Sequence, residues 1–244
     1  MTLEEFASAI SFRFVAQSAE LLWYDRWNQR LARIGLARVG ASLEVANTRL
    51  PADRVEARPL IRQLLTMPRM STYAVAALIN KAVHQMPSGT AFVNVGVWHG
   101  FSFLAGAVAN PDRRCIAIDN FSQYGSPRAE FLKRFEASRS PRHEFHDMDY
   151  VDYFARVHSG AIGFYFYDGE HSYRNQYRGL EAAEPFFAAG CVILVDDTNA
   201  DEPRRATLEF INRSSGKYRL LFDRRTTRNS HPTFWNGVMG FART

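Results

Sequence analysis

From residue 90 onward the chain alternates short apolar runs with helical stretches, then closes on two apolar runs that have no helix between them. This order restricts the fold more than any other feature. Parallel neighbours need a crossover of a dozen or more residues, so runs separated by helical stretches predict βα units around a parallel sheet. Five such strands are expected: Ala91 to Val97, Arg114 to Asp119, His143 to His146, Ile162 to Tyr167 and Cys191 to Val195. Helices are expected near 101–109, 127–138, 173–188 and 203–213. The two closing runs, Lys217 to Asp223 and Phe234 to Phe241, flank a polar spacer, Arg224 to Pro232, too short for a crossover helix. They must therefore pair antiparallel. The expected fold is α/β, a doubly wound seven-stranded sheet of five parallel βα units and a C-terminal hairpin.

Residues 1 to about 86 carry no strand signal. Leu3 to Ile10 and Phe14 to Leu36 read as helix, the second with Leu21, Leu22, Trp23 and Leu31 at helical spacings. Pro51 to Arg58 reads as a linker. Ser71-Thr72 then caps a helix whose apolar positions Val75, Leu78, Ile79, Ala82 and Val83 follow the 3.6-residue period and which stops at Pro87-Ser88-Gly89. The expected division is a helical extension over 1–70, with Phe12, Phe14, Trp23 and Trp27 on its inside, and an α/β domain over 71–244.

The 244 residues suffice for one large domain and an accessory segment, not for two enzymatic domains. With 46% hydrophobic and 23% charged residues the chain has globular composition, which argues against disorder. Its net charge of +5 comes from arginines spread over many elements rather than gathered in one run, so it describes a solvated surface. Cys115 and Cys191 each open an apolar run and read as small buried hydrophobes in a reducing compartment. The N-terminus has acids where a signal peptide carries Lys or Arg, and no apolar run approaches the ~20 residues of a membrane span. A soluble, cytoplasmic protein that does not touch membranes is expected.

Two constellations carry chemistry. The first strand runs into Asn94-Val95-Gly96-Val97-Trp98-His99-Gly100 and a helix, a G-x-x-x-G turn that serves either close packing or close approach of backbone to a ligand. The second strand ends in Asp119, followed by Asn120 and Phe121. A carboxylate at that tip can accept both hydroxyls of a ribose, or it can cap the turn; Phe121 can pack on a base or in the core. A dinucleotide is disfavoured because its pyrophosphate needs G-x-G-x-x-G, and position 98 is Trp. The second constellation is Asp168-Gly169-Glu170-His171-Ser172-Tyr173 after the fourth strand, with Asp196-Asp197 after the fifth. Parallel strands finish on one edge, so Asp168, Asp196 and Asp197 are expected to converge over the crevice. Carboxylates crowded together invite a hard cation, and Mg²⁺ accepts such oxygens without Cys or His. The acids could instead cap a helix, and His171 could be a helix-start residue bonded to backbone.

Together these motifs resemble class I S-adenosylmethionine (SAM)-dependent methyltransferases, which share a Rossmann-like sheet. The D-G-E-H-S-Y stretch and the later D-D are similar, over roughly residues 70–241, to the group containing the macrolide and aminocoumarin sugar O-methyltransferases and their relatives of unassigned substrate. The resemblance implies that Asn94, Gly96, Gly100, Asp119, Asn120, Phe121, Asp147 and Asp168 contact the cofactor, Asp147 facing the adenine. Asn94 stands where most of the family has an acid, so an ammonium partner is lost there. The resemblance also maps Asp168, Asp196 and Asp197 to Mg²⁺ ligands and Glu170 to the general base, with His171 as an alternative proton acceptor. The expected activity is transfer of a methyl group to a hydroxyl of a small molecule such as a sugar, phenol or natural-product intermediate. A metal-independent N- or carboxyl-methyltransferase and a non-catalytic SAM-binding protein are the alternatives. Nucleic acid is disfavoured as substrate, because strand four ends without an N-P-P-Y type loop and no basic arm carries stacking aromatics. In relatives the helical extension covers the site or makes dimer contacts, which makes a homo-oligomer an expectation here.

Overall fold

A computed structural model describes residues 1–20, 31 and 34–244. Leu21, Leu22, Trp23 and Trp27, expected on a helix, lie outside the described residues.

The main sheet has seven strands in the order β5-β4-β3-β6-β7-β9-β8. They are β3 (Ala91–Val95), β4 (Arg114–Asp119), β5 (His143–Asp147), β6 (Ile162–Tyr167), β7 (Phe187–Val195), β8 (Tyr218–Arg224) and β9 (Val238–Arg243). The pairs among β3 to β7 are parallel, and β9 runs antiparallel to both β7 and β8. The doubly wound sheet with its closing hairpin is as expected. β3 is flanked by β4 and β6, so chain direction across the sheet reverses there and leaves a crevice at the strand tips.

Burial on both faces explains why the strands read as continuous apolar runs. Phe92, Phe164 and Phe166 face one apolar cluster, while Val93, Tyr165 and Tyr167 face another. The first face is covered by α4 (Tyr73–Gln85), α5 (Phe101–Ala107) and α6 (Arg128–Ser138). The second is covered by α7 (Tyr150–Arg156), α8 (Tyr173–Ala183) and α9 (Asp201–Arg213). Helix α7, which has no counterpart among the expected helices, is opened by Asp149, whose carboxylate accepts the Val151 N–H at 2.8 Å. The run before β7 also differs from expectation. α8 stops at Ala183, a short 3₁₀ turn follows, and β7 begins at Phe187 rather than Cys191.

The N-terminal region is not helical throughout. Helix α1 (Leu3–Ala9) is opened by a Thr2–Glu5 capping box, and Leu3, Phe6, Ala7 and Ile10 enter the first cluster beside α4. β1 (Ser11–Phe12) then pairs antiparallel with β2 (Thr48–Arg49), which follows α2 (Ala37–Asn47). The Asn47 side chain ties this corner by accepting the N–H groups of Phe14 and Val15 at 3.0 and 2.9 Å. Two-residue strands are too short to show an alternating pattern, so the sequence reads as helix through them. The expected linker 51–58 runs into α3 (Arg58–Leu64), whose Ile61, with Leu65, packs on Phe101 and Ala105 of α5.

Gly179 of α8 crosses β6 so closely that a Cβ there would sit 2.1 Å from Cε2 of Tyr167. Overpacking of this kind costs about 1–3 kcal/mol. Gly179→Ala should therefore lower the urea midpoint by that equivalent without changing the slope of the transition; an unchanged midpoint would show that α8 moves aside freely.

Candidate active site

A cleft of ≈ 400 Å³ opens over the C-terminal tips of β3, β4, β6 and β7. At its floor Gly96 has φ +77°, and a Cβ added there would lie 2.0 Å from the Asp168 carbonyl oxygen. The bare glycine thus lets the tips of β3 and β6 touch. Gly100, φ +96°, opens α5 and meets the Phe131 ring at 2.9 Å from an added Cβ, so it serves packing and is not part of the lining. Asn94 is fully buried beneath the loop. Its Nδ2 donates to the Val95 and Gly96 carbonyls at 3.2 Å, and its Oδ1 has no partner among the described residues.

Asp119 lines the cleft with its carboxylate gripped by backbone. Oδ2 accepts the N–H groups of Val97 and Trp98, both at 2.8 Å, and Oδ1 accepts that of Phe121 at 2.7 Å. The residue therefore does what the capping reading required while still facing the cleft. Asn120 lines it too, its Oδ1 accepting Ser122 N–H at 3.1 Å. Phe121 reaches the lining but is buried against Phe131 and Phe145, at centroid distances of 5.7 and 5.9 Å. Asp147 is turned elsewhere. Its carboxylate pairs with Arg128 at 2.5 Å, and Met148 and Asp149 stand in the lining instead.

Asp168, Asp196 and Asp197 do reach the same cleft, as expected of neighbouring strand tips. What lies among them is an imidazole. His171 Nε2 is 3.7 Å from Asp168 Oδ1 and 3.6 Å from Asp197 Oδ2. Asp197 has a left-handed backbone, φ 57°, and its Oδ1 accepts Asn236 Nδ2 at 2.6 Å. Asp196 is buried, and its Oδ1 has no partner among the described residues. Glu170 sits on the exposed rim, bonded by Asn175 Nδ2.

Burial raises the Asp168 carboxyl to about 6, against the pull of His171 and helped by Asp197. Burial, then Asp168 and Asp197, push Asp196 well above the usual carboxylate range. For His171, burial disfavours the charged ring, but Asp168 and Asp197 outweigh it and raise its pKa. The donors are the hard oxygens that Mg²⁺ prefers, and the orphaned Asp196 Oδ1 could serve one. Among the described residues no three His, Cys, Asp or Glu side chains are grouped to hold an ion, and His171 stands between two of the three carboxylates.

Among the lining residues that escaped the sequence reading are Arg69 and Ser71 before α4, and Ser230, Trp235 and Asn236 from the loop joining β8 to β9. Nothing in their local spacing marks them, because they meet the strand tips only through the fold. In sequence the loop shows as a polar spacer that ends before Phe234, and Trp235 and Asn236 read as part of the closing strand, which begins only at Val238.

Residues 93–198 match the model of the methyltransferase-domain family, a span running from the glycine loop to the Asp196-Asp197 pair. Over that span the chain is similar to a methyltransferase domain. Solved structures share its fold. An O-methyltransferase from Bacillus cereus in complex with S-adenosylhomocysteine (SAH) is 12% identical, with TM-score 0.55, covering 91% of this chain and 98% of its own. The SAH-bound methyltransferase of Podospora anserina is 13% identical, with TM-score 0.57 and coverage of 93% and 99%. TomG, an O-methyltransferase from Streptomyces achromogenes involved in tomaymycin synthesis and bound to SAM, is 16% identical, with TM-score 0.54 and coverage of 92% and 100%. No curated protein matches the chain. No helix among the described residues is long and apolar enough to cross a membrane.

The raised carboxyls couple the stability of the fold to pH. A carboxyl whose folded pKa lies above its unfolded value of about 3.9 stabilises the fold at low pH and loses that contribution as pH climbs through the folded value. The melting temperature of the ligand-free protein should therefore fall between about pH 4 and pH 7 through Asp168 and Asp196. Asp196→Asn should flatten the fall; parallel profiles for wild type and variant would contradict this account.

Proposed function

We propose that this protein is a methyltransferase that moves the methyl group of SAM to a hydroxyl of a small molecule, of the class of sugars, phenols or natural-product intermediates. The observation that carries the reading is His171, held between Asp168 and Asp197 at the tip of β6 with its Nε2 in the cleft. The folds of the Bacillus cereus O-methyltransferase and of TomG support oxygen as the acceptor atom.

The sulfonium methyl is already activated, so the protein has to hold an oxygen in line with it and take away its proton. In the proposed step the hydroxyl proton passes to His171 Nε2 as the oxygen forms its bond to the methyl carbon. The carbon–sulfur bond breaks, its electron pair stays on sulfur, and neutral SAH remains. Asp168 and Asp197 stabilise the imidazolium that results, which is the charge that develops as the reaction proceeds. Asn236 and the left-handed turn at Asp197 keep that carboxylate directed at the ring. On the cofactor side, Asp119 would take the ribose, and Met148 with Asp149, which line the cleft where Asp147 does not, would face the adenine.

A second reading is favoured by the partnerless Oδ1 of Asp196. There Asp168, Asp196 and Asp197 hold Mg²⁺, which would polarise the acceptor oxygen, and His171 leaves its place between two of them.

General-base catalysis contributes roughly 10²–10⁴-fold. Once a methyl-accepting compound is found by screening hydroxylated small molecules, His171→Gln should lower kcat by that factor while SAM affinity, read by calorimetry, stays within about twofold. The wild-type rate should survive chelation. A variant as fast as wild type would sink the role of His171, and activity lost to chelator and restored by Mg²⁺ would establish the second reading.

A further inference from the structure

The cluster at the tip of β6 has a second side, turned away from the cleft. His171 Nε2 stands between Asp168 and Asp197, but the other ring nitrogen, Nδ1, is buried and has no hydrogen-bond partner among the described residues. The Gln176 side chain beside the ring favours a proton on it. Gln176 lies in the first turn of α8 and is wholly buried, and its Oε1 is likewise without a partner. Two unsatisfied groups, one able to donate and one to accept, therefore share this buried space.

An amide beside an imidazole can present its oxygen to a ring N–H or its NH₂ group to a bare ring nitrogen. The residues behind Gln176 choose between the two. Thr207 of α9, also wholly buried, donates its hydroxyl to the Pro203 carbonyl at 2.8 Å. A hydroxyl has a single proton, so the Thr207 oxygen can only accept from Gln176 Nε2, 3.2 Å away. The amide must then turn its NH₂ group to Thr207 and its oxygen to the ring. The direction of each bond is set in turn, starting from a carbonyl that can only accept.

We infer that Gln176 Oε1 accepts the Nδ1–H of His171 and so leaves Nε2 as the bare nitrogen that the neutral ring turns to the cleft. The inference rests on the reading of His171 as proton acceptor and says which of its nitrogens acts. Gln176 lies outside the cleft lining and works through His171, which makes it a positioning residue. The opposite tautomer would set the Nδ1 lone pair against the amide oxygen and leave both unsatisfied in a buried place. It would also present a donor to the acceptor hydroxyl, and Nε2 could take no proton. A neutral amide fixes the tautomer without adding a fourth carboxylate to an edge that already holds Asp168, Asp196 and Asp197.

Nitrogen NMR of the full chain tests this with no ligand present. The His171 signals are those missing from His171→Gln. At alkaline pH, where the ring is neutral, wild type should carry its ring proton on Nδ1, and Gln176→Leu should shift the signals toward a mixture of both tautomers. A wild-type ring with its proton on Nε2 overturns the inference, whether or not Gln176→Leu folds. With an acceptor compound from the screen above, Gln176→Leu should lower kcat roughly 10-fold or more, the equivalent of one buried hydrogen bond, and leave the KM for SAM unchanged. In a His171→Gln background the same substitution should cost nothing further, because its effect passes through the ring. An equal loss in both backgrounds overturns the positioning role. If His171→Gln is as fast as wild type while Nδ1 carries the proton, the proton-acceptor reading fails and the tautomer assignment stands.

Discussion

The tips of β3 and β6 touch at Gly96 and Asp168 with no room for a side chain between them, and the site is organised around that contact. It joins the glycine loop with the strand that ends in the acidic cluster. Any residue with a Cβ at position 96 would have to push Asp168 away from both. The positive φ of Gly96 adds a second reason for glycine, since L side chains pay for that conformation. A residue expected to admit the cofactor's backbone approach thus acts first by admitting another strand. Gly100 goes further in the same direction, since its neighbour is Phe131 and it does not reach the cleft.

Once β6 and β7 are adjacent and parallel, Asp168, Asp196 and Asp197 have to share one low-dielectric edge. Like charges there are tolerated only by holding protons or by meeting a cation. The protein shows both solutions. Asp168 and Asp196 are pushed toward their neutral forms, and His171, three residues along from Asp168, places an ionisable ring between Asp168 and Asp197. The free energy stored in that crowding is what makes the ring a stronger base than an isolated imidazole. A site that needs proton acceptance near neutral pH gains from it.

The N-terminal extension and the β8–β9 loop supply the cleft from opposite ends of the chain. Thr72, at the start of α4, donates to the Thr233 carbonyl at 2.5 Å, and Thr227 donates to that of Ala19 at 2.6 Å. The two segments therefore brace one another beside the site. Arg69, in the cleft wall, pairs with Glu44 of α2, far from the strands that carry the cluster.

Much of this protein is written in local pattern. The seven-stranded sheet follows from apolar runs and the lengths between them, because crossover length and burial on both faces leave little freedom. The convergence of Asp168, Asp196 and Asp197 follows from strand polarity alone. Position in a run says nothing, however, about where a side chain turns. Asp147 and Asp119 end adjacent strands, and only packing sends one to Arg128 and the other to the glycine-loop amides. The strands at 11–12 and 48–49 are too short for periodicity to register. Asn236, Ser71 and Glu44 are polar residues in unremarkable surroundings until the fold delivers them to Asp197, to the cleft and to Arg69. Periodicity and strand order are properties of neighbours along the chain, so the sequence by itself determined the sheet and its edge of acids. Which imidazole, amide or hydroxyl meets those acids depends on contacts between distant segments, and only the tertiary structure decided it.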